Sequence, residues 1–365
     1  MNMSRDLFTR YGKRAYILST RFAEGYHNLA LEEAVEILRA QRIACEVDVE
    51  SEENPSVEFV ARATERIRNY QPDFIVAIGG GSVLDAAKAV NILIQFPPDA
   101  DPYTVFYTGL VRPVGSKSEG ALPMISVPTT AGSGAEVAGY AILTRKDLHT
   151  KQRINQLSFF TDAFLDARYV ESAPQWLLDA GMLDALAHGL EGYMNVDASI
   201  VSRCVTDSFF GLFARFKNAL LDAEITQEDF DNMLLAGTIQ GMASIQSSTT
   251  LPHGMGYVLT HQKGLLHGFA ACVFEAEYLK HFHTAEHQKQ VRHMVSACGF
   301  PSLDELRDYV WRVISRNASF SVSADEIKQW AASFFENKGR LARHPEPIEF
   351  SEIQDIYRES LRFFM

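Results

Sequence analysis

The sequence predicts a chain in two parts: an α/β domain with a doubly wound parallel sheet over residues 1–170, then an all-α domain over residues 171–365. Two observations carry this. Through the first half, short apolar runs alternate with amphipathic stretches in the order β-α-β-α-β-α-β, as a parallel sheet with crossover helices requires. Beyond Pro174 helical periodicity continues to the end with no convincing strand pattern. A chain of 365 residues is long enough for two domains of ordinary size.

Taken in order, residues 15–19 (A-Y-I-L-S) read as a buried strand. Residues 27–41 then place Leu29, Ala30, Ala34, Val35 and Leu38 at helical spacing. Residues 44–49 form the second strand. Asn54-Pro55 signals a helix start, because proline is tolerated in a first turn. The third strand, 74–78 (F-I-V-A-I), is wholly apolar, as in a sheet covered on both faces. A helix from 82 to 94 and a strand at 124–127 follow, and strand-like segments at 140–143 and 159–165 finish or flank the sheet. In the second half, 226–245 is a long amphipathic stretch. Ser302-x-x-Glu305, Ser323-x-x-Glu326 and Ser351-x-x-Gln354 each have the pattern of a capping box that opens a helix. The boundary is expected between Asp166 and Pro174, with two closely packed domains and a ligand cleft between them.

Composition sets the class. With 47% hydrophobic and 22% charged residues the chain can bury a large core. A formal net charge of -12 argues against nucleic acid or an acidic membrane surface as partner. The N-terminus has no secretory apolar run, no stretch is long enough to cross a bilayer, and the four cysteines are scattered without a C-x-x-C pair. A cytoplasmic protein with free thiols is expected, Cys272 being a small buried one.

Two glycine loops suggest a nucleotide. Gly79-Gly80-Gly81-Ser82 follows the third strand and opens a helix, so free N–H groups and close approach make a phosphate cradle. It matches neither G-x-G-x-x-G nor the Walker pattern, and a plain tight turn is the competing reading. The second loop, Pro128-Thr129-Thr130-Ala131-Gly132-Ser133-Gly134, adds hydroxyls suited to a dinucleotide's phosphates and ribose. Successive parallel strands put both loops on the sheet edge where open α/β folds bind ligands.

A third stretch suggests a metal. Residues 181–193 read G-M-L-D-A-L-A-H-G-L-E-G-Y, which stacks Asp184 and His188 one helical turn apart. Such a pair also suits a solvated helix face. The segment 253–267 adds His253 and His267, each followed by glycine. One carboxylate and three imidazoles make a ligand set for a borderline cation such as Zn²⁺ or Fe²⁺.

With these motifs in order, the chain resembles the iron-dependent (group III) alcohol dehydrogenases, relatives of dehydroquinate synthase. The resemblance rests on G-G-G-S-V-L-D-A-A-K at 79–88, P-T-T-A-G-S-G-A-E-V at 128–137, the 181–193 stretch and the 253–267 segment. It implies a dinucleotide-binding α/β domain and a helical metal-binding domain; a homodimer is the expected assembly. By motif position it implies Asp184, His188, His253 and His267 as metal ligands. Gly80, Gly81 and Ser82 would hold the pyrophosphate with Asp85 nearby, Thr129, Thr130 and Ser133 would line the nicotinamide and ribose side, and Lys151 would reach the ribose. The implied reaction is hydride transfer between NAD(P)(H) and a small aldehyde or primary alcohol held at the cation.

Two positions depart from the family pattern. Four residues after the third ligand, where many members have a relay histidine, this chain has Tyr257, and His261 is a possible substitute. G-Y-V-L-T at 256–260 is similar to a subset resembling phosphonoacetaldehyde reductase, which implies an aldehyde bearing an anionic group. After the first strand, where NAD-preferring members often carry an aspartate, the sequence is Ser19-Thr20-Arg21, and Arg21 could pair with a 2′-phosphate. This gives a slight lean towards NADP(H). Three alternatives stand beside this reading: a dehydroquinate-synthase-like cyclase, for which Lys263 is the clearest of few nearby cations; a metallohydrolase, which leaves both glycine loops unexplained; and a silent cofactor-binding regulator.

Overall fold

A computed structural model of the chain describes residues 8–21, 28–108, 120–148 and 150–365, together with the backbone of 113–114. It divides into two compact units: Met1–Thr130 with Gly134–Ala173, and Pro174–Met365 with the short segment Ala131–Ser133.

The first unit is built on strands β1 (Arg14–Leu18), β2 (Ala44–Asp48), β3 (Phe74–Gly79), β5 (Met124–Pro128) and β9 (Asp162–Ala163), all parallel, in the order β2-β1-β3-β5-β9. Helices α1 (Leu29–Ala40), α2 (Val57–Tyr70) and α3 (Gly81–Leu93) are the crossovers. Strand alternation explains the wholly apolar runs. Ile75 and Ala77 of β3 join a core with α2 and α3, while Phe74, Val76 and Ile78 join a second core with α1. The rest of the unit is α4 (Pro102–Tyr107), the pair β4 (Pro113–Val114) with β8 (Leu157–Ser158), and the antiparallel hairpin β6 (Ile142–Arg145) with β7 (Thr150–Arg153).

The second unit is helical among the described residues: α5 (Gln175–Met194), α6 (Ile200–Asp222), α7 (Gln227–Ser244), α8 (Leu251–Lys263), α9 (His267–Cys272), α10 (Glu275–Leu279), α11 (Ala285–Ala297), α12 (Leu303–Asn317), α13 (Ala324–Phe335), α14 (Lys338–Leu341) and α15 (Phe350–Leu361). Helix α5 is buried on nearly every face, so it is the axis about which the others pack. Buried Asp179 near its start accepts hydrogen bonds from Gln175, Arg316 and Asn317, tying α5 to α12.

Several local expectations shift. The second helix starts two residues later than Asn54-Pro55 implies, because the Ser56 hydroxyl caps the Phe59 N–H. Ser351 lies inside α15, which Glu349 and Glu352 open with a capping box of their own. Carboxylates serve there as well as a hydroxyl, so the serine pattern names the wrong residue. At Ser302 the hydroxyl caps Glu305, and at Ser323 the full reciprocal box forms with Glu326. The strand-like run at 159–165 shortens to two residues of β9, and the 140–143 run moves to β6. His27 lies outside the described residues; Asn28 caps α1. No helix among the described residues is long and apolar enough to cross a membrane. All four cysteines are free, and Cys272 is buried.

Candidate metal centre

Three helices of the second unit bring the four predicted ligands together. Asp184 and His188 stand one turn apart on α5, His253 is near the start of α8, and His267 is the first residue of α9. Asp184 Oδ1 is 3.5 Å from His253 Nε2 and 3.9 Å from His267 Nε2. Asp184 Oδ2 is 3.7 Å from His188 Nδ1. The rings of His188 and His253 lie 4.4 Å apart by centroid, and those of His253 and His267 5.3 Å. Ligand atoms of Asp184, His188 and His253 all fall within 4.8 Å of one another. Gly268 permits the convergence: a Cβ there would stand 2.0 Å from the Ala180 carbonyl oxygen and 2.9 Å from Asp184 Cβ, so a side chain would push α9 and His267 off α5.

The donor set fits a divalent cation. Asp184 Oδ1 and His253 Nε2 are buried and have no hydrogen-bond partner, a costly state for two polar atoms unless something lies between them. The other nitrogens are engaged. His188 Nδ1 donates to the Asp184 carbonyl oxygen at 2.9 Å, and His253 Nδ1 pairs with Glu191. Each bond fixes the tautomer that presents Nε2, the usual arrangement behind a metal-binding imidazole. Glu191 is in turn held by the Thr250 N–H at 2.6 Å and hydroxyl at 3.1 Å.

Charge follows the same geometry. Burial works to raise the Asp184 carboxyl, but His188, His253 and His267 outweigh it and hold the group well below the usual carboxylate range. Burial lowers His188, against the pull of Asp184. For His253, burial is outweighed by Glu191 and Asp184, which push it up to about 10. A centre with no cation therefore keeps a proton where positive charge is wanted. Behind Glu191 lies Glu275, fully buried. Burial first, then the Glu191 charge, pushes Glu275 well above the carboxylate range. Glu191, His253 and Glu275 also cluster, but the Glu191 oxygens are consumed, so this trio supports the first.

The remaining predicted residues scatter in role. Tyr257 is exposed and stacks on His267, with centroids 5.7 Å apart and planes at 12°. His261 is exposed on the last turn of α8, about two turns beyond His253. Lys263 is tied to Glu326 at 2.6 Å. The cation that sequence reading missed is Arg340, 83 residues from Tyr257, whose Nη2 donates to the Tyr257 hydroxyl at 3.2 Å. Nothing in its own neighbourhood of sequence marks it.

In the first unit the glycine loops end adjacent strands, with Gly79 in register with Pro128. Gly80 caps α3 without a side-chain hydrogen bond, which leaves that helix's leading N–H groups open. A Cβ at Gly80 would stand 2.9 Å from Thr130 Oγ1. Thr129 Oγ1 is buried without a partner. An uncapped helix start, a glycine approach and an orphaned hydroxyl fit a phosphate and its ribose. Gly81 is the first residue of α3, and the Ser82 hydroxyl accepts the Asn54 N–H. Asp85 is engaged within the fold, by the Ile142 N–H at 2.9 Å and Lys88 at 2.7 Å. Lys151 reaches Asn54 Oδ1 at 2.7 Å, and the Thr20 hydroxyl donates to the Ser51 carbonyl. Arg21 is paired with Glu50 at 2.7 Å. Ser133 is exposed and belongs to the segment grouped with the helical unit.

Comparison with known proteins settles the family. Residues 1–166 match the family described as iron-containing alcohol dehydrogenase, and 179–361 match the C-terminal part of the Fe-containing alcohol dehydrogenase family. The chain belongs to the iron-containing alcohol dehydrogenases. An iron-containing alcohol dehydrogenase from Thermotoga maritima superposes with a TM-score of 0.81 at 30% identity, covering 99% of this chain and 95% of that one. The fold is accordingly dehydroquinate synthase-like. The alcohol dehydrogenase of Thermococcus barophilus is 28% identical over 323 residues, 84% of this chain and 82% of that protein. The bifunctional aldehyde-alcohol dehydrogenase AdhE of Escherichia coli (strain K12) is 28% identical over 274 residues. That match covers 73% of this chain, which spans only 30% of the bifunctional relative's length.

Proposed function

We propose that this family member interconverts a small aldehyde and its primary alcohol, using NAD(P)(H) bound at the glycine loops and one divalent cation, Fe²⁺ or Zn²⁺, held by Asp184, His188, His253 and His267. The observation that carries the reading is the pair of buried, unpartnered ligand atoms, Asp184 Oδ1 and His253 Nε2, at the meeting point of three helices. When bound, the cation supplies Lewis acidity towards a carbonyl oxygen and the nicotinamide supplies or accepts a hydride. The protein's part is orientation. Glu191 fixes His253, the Asp184 carbonyl fixes His188, and Gly268 lets His267 close the set. A single carboxylate among four ligands leaves such a centre net positive, which favours a developing alkoxide. The Gly80 turn and the start of α3 would take the pyrophosphate, with Thr129 and Thr130 beside it.

Anaerobic purification, loading with Fe²⁺ or Zn²⁺, and absorbance at 340 nm with NADH or NADPH and a panel of short aldehydes test the reading. Aldehyde-dependent oxidation that vanishes on chelation is expected. No such oxidation with either metal and either cofactor rules the proposal out.

A further inference from the structure

Arg340 sits beside the metal-binding helices with no opposite charge of its own. It is half-buried on α14 and lies across the start of α8, with its Cδ and Nε 3.3 and 3.4 Å from where a Gly254 Cβ would be. Nη1 donates to Thr249 Oγ1 at 3.0 Å and to the Thr250 carbonyl at 3.3 Å, while Nη2 donates to the Tyr257 hydroxyl at 3.2 Å. The guanidinium carbon stands 5.6 Å from the centre of the Tyr257 ring, whose other neighbour is His267. Three neutral oxygens thus aim the group, and no carboxylate among the described residues pairs with it. Lys263, by contrast, is paired with Glu326, while Arg343, which also meets no carboxylate among the described residues, is spent on the Ser248 hydroxyl and the Thr249 carbonyl, away from Tyr257.

What sets Arg340 apart is its place: a half-buried guanidinium without a carboxylate, bonded to the tyrosine that stacks on His267, stands where it can meet an outside anion held near the four ligands. We propose that Arg340 anchors an anionic group on the substrate, so that the aldehyde reduced here is a short one carrying a carboxylate, sulfonate or phosphonate. This rests on the aldehyde-reductase reading above. Tyr257 is one turn beyond His253 on α8, about 5.4 Å along the axis, roughly the span of a two- or three-carbon aldehyde with a charged end. The anion takes no part in the bond changes. NAD(P)H gives its hydride to the carbonyl carbon, the carbonyl π bond opens, and a proton from solvent completes the hydroxyl, leaving NAD(P)⁺ and the anionic alcohol. Arg340 is a specificity residue, and the Tyr257 ring is the spacer between it and His267.

The test compares the wild type, Arg340→Met and Arg340→Lys on anionic and neutral substrates of equal length. The first readout is the ratio of kcat/KM for 3-oxopropanoate, sulfoacetaldehyde and phosphonoacetaldehyde to that for propanal, using the metal-loaded enzyme. The second is calorimetric binding of 3-hydroxypropanoate, 2-hydroxyethanesulfonate, 2-hydroxyethylphosphonate and propan-1-ol. We expect the wild type to prefer the anionic compounds, Arg340→Met to lower that preference about 100-fold, and Arg340→Lys to keep part of it. The arm with the largest loss identifies the anion. A ratio unchanged in Arg340→Met while aldehydes are still reduced overturns the anchor and leaves the reductase reading standing. Arg340-dependent binding of anionic alcohols without turnover of any aldehyde keeps the anchor and overturns the reductase reading. Equal binding of propan-1-ol and the anionic alcohols by the wild type overturns the anchor.

Discussion

The helical unit holds two clusters of histidines built on opposite rules. In the first, His188, His253 and His267 share one carboxylate, Asp184, and buried ligand atoms are left over. In the second, Glu352, Glu346 and Tyr278 take up the histidines, and the one buried nitrogen left over, His344 Nε2, faces no second orphaned atom of a ligand set among the described residues. His281 and His283 meet Glu352 at 3.2 and 2.8 Å, His287 meets Glu346 at 2.5 Å, and His344 Nδ1 meets the Tyr278 hydroxyl at 3.0 Å. The second cluster is denser in sequence, with histidines at 281, 283 and 287, yet no three of its side chains converge as a ligand set among the described residues. Orphaned donors that converge on one point mark a cation site; histidine density, or a single orphaned nitrogen such as His344 Nε2, does not.

Breaking each cluster in turn tests that contrast most severely. His253→Ala should reduce bound metal from about one ion per chain to under about a tenth, and lower aldehyde reduction at least about 1,000-fold. His287→Ala should leave metal content unchanged. Metal analysis of both proteins after identical loading decides it, and equal losses would remove the distinction.

A subtler break leaves the ligands in place and removes what aims them. Glu191→Gln keeps the shape but not the charge behind His253 Nδ1. Metal affinity should fall about 10- to 100-fold, as for other carboxylates behind metal-bound imidazoles. Competition with a chromogenic chelator measures it. An unchanged affinity would mean that the charge of Glu191 plays no part in holding His253.

What the sequence made legible follows the range of each interaction. The parallel sheet was readable because β1, β3 and β5 need apolar side chains on both faces, a local pattern. The four ligands were readable because motif order and i, i+4 spacing carry them. Arg340 and Glu275 were not: each acts only through partners far along the chain, and nothing local separates Arg340 from an ordinary surface arginine. Helix starts failed where two capping chemistries compete, as at Glu349 against Ser351. Arg21 was read correctly as a cation but without Glu50, which pairing of Thr20 with Glu50 across the strand ends brings beside it.

The second cluster also predicts an acid response that the first does not share. His344 is buried, and burial, despite Glu346 and Glu352 and with His287 and His281 opposing protonation, lowers it to about 4. Its unfolded value is near 6.5, so between those limits the unfolded chain binds more protons than the folded one. Stability should therefore be fully present above about pH 6.5 and be lost as pH falls through about 4, by an amount on the order of 3 kcal/mol. Glu346 is held near 2, so the stability it contributes is lost mainly below that window, as pH falls from about 4.5 through 2. Urea midpoints against pH, in chelator to keep the first cluster free of metal, should show this slope in the wild type and a flatter one in His344→Gln. Identical slopes would assign the acid response elsewhere.

The smallest effect concerns cofactor choice, where the contrast between consumed and left-over groups recurs in the first unit. The α3 start and Thr129 Oγ1 are left open, whereas Arg21 is consumed by Glu50. A 2′-phosphate brought to Arg21 has to displace that carboxylate and meet its charge, so the lean towards NADPH drawn from Arg21 alone loses its force. Glu50→Gln keeps a hydrogen-bond acceptor but frees the guanidinium. If the ribose end binds there, the substitution should raise kcat/KM for NADPH relative to NADH about tenfold, and Arg21→Gln should cancel the gain. Both residues are exposed, so added salt should shrink the effect. A ratio indifferent to Glu50 and Arg21 would place the discriminating contact elsewhere.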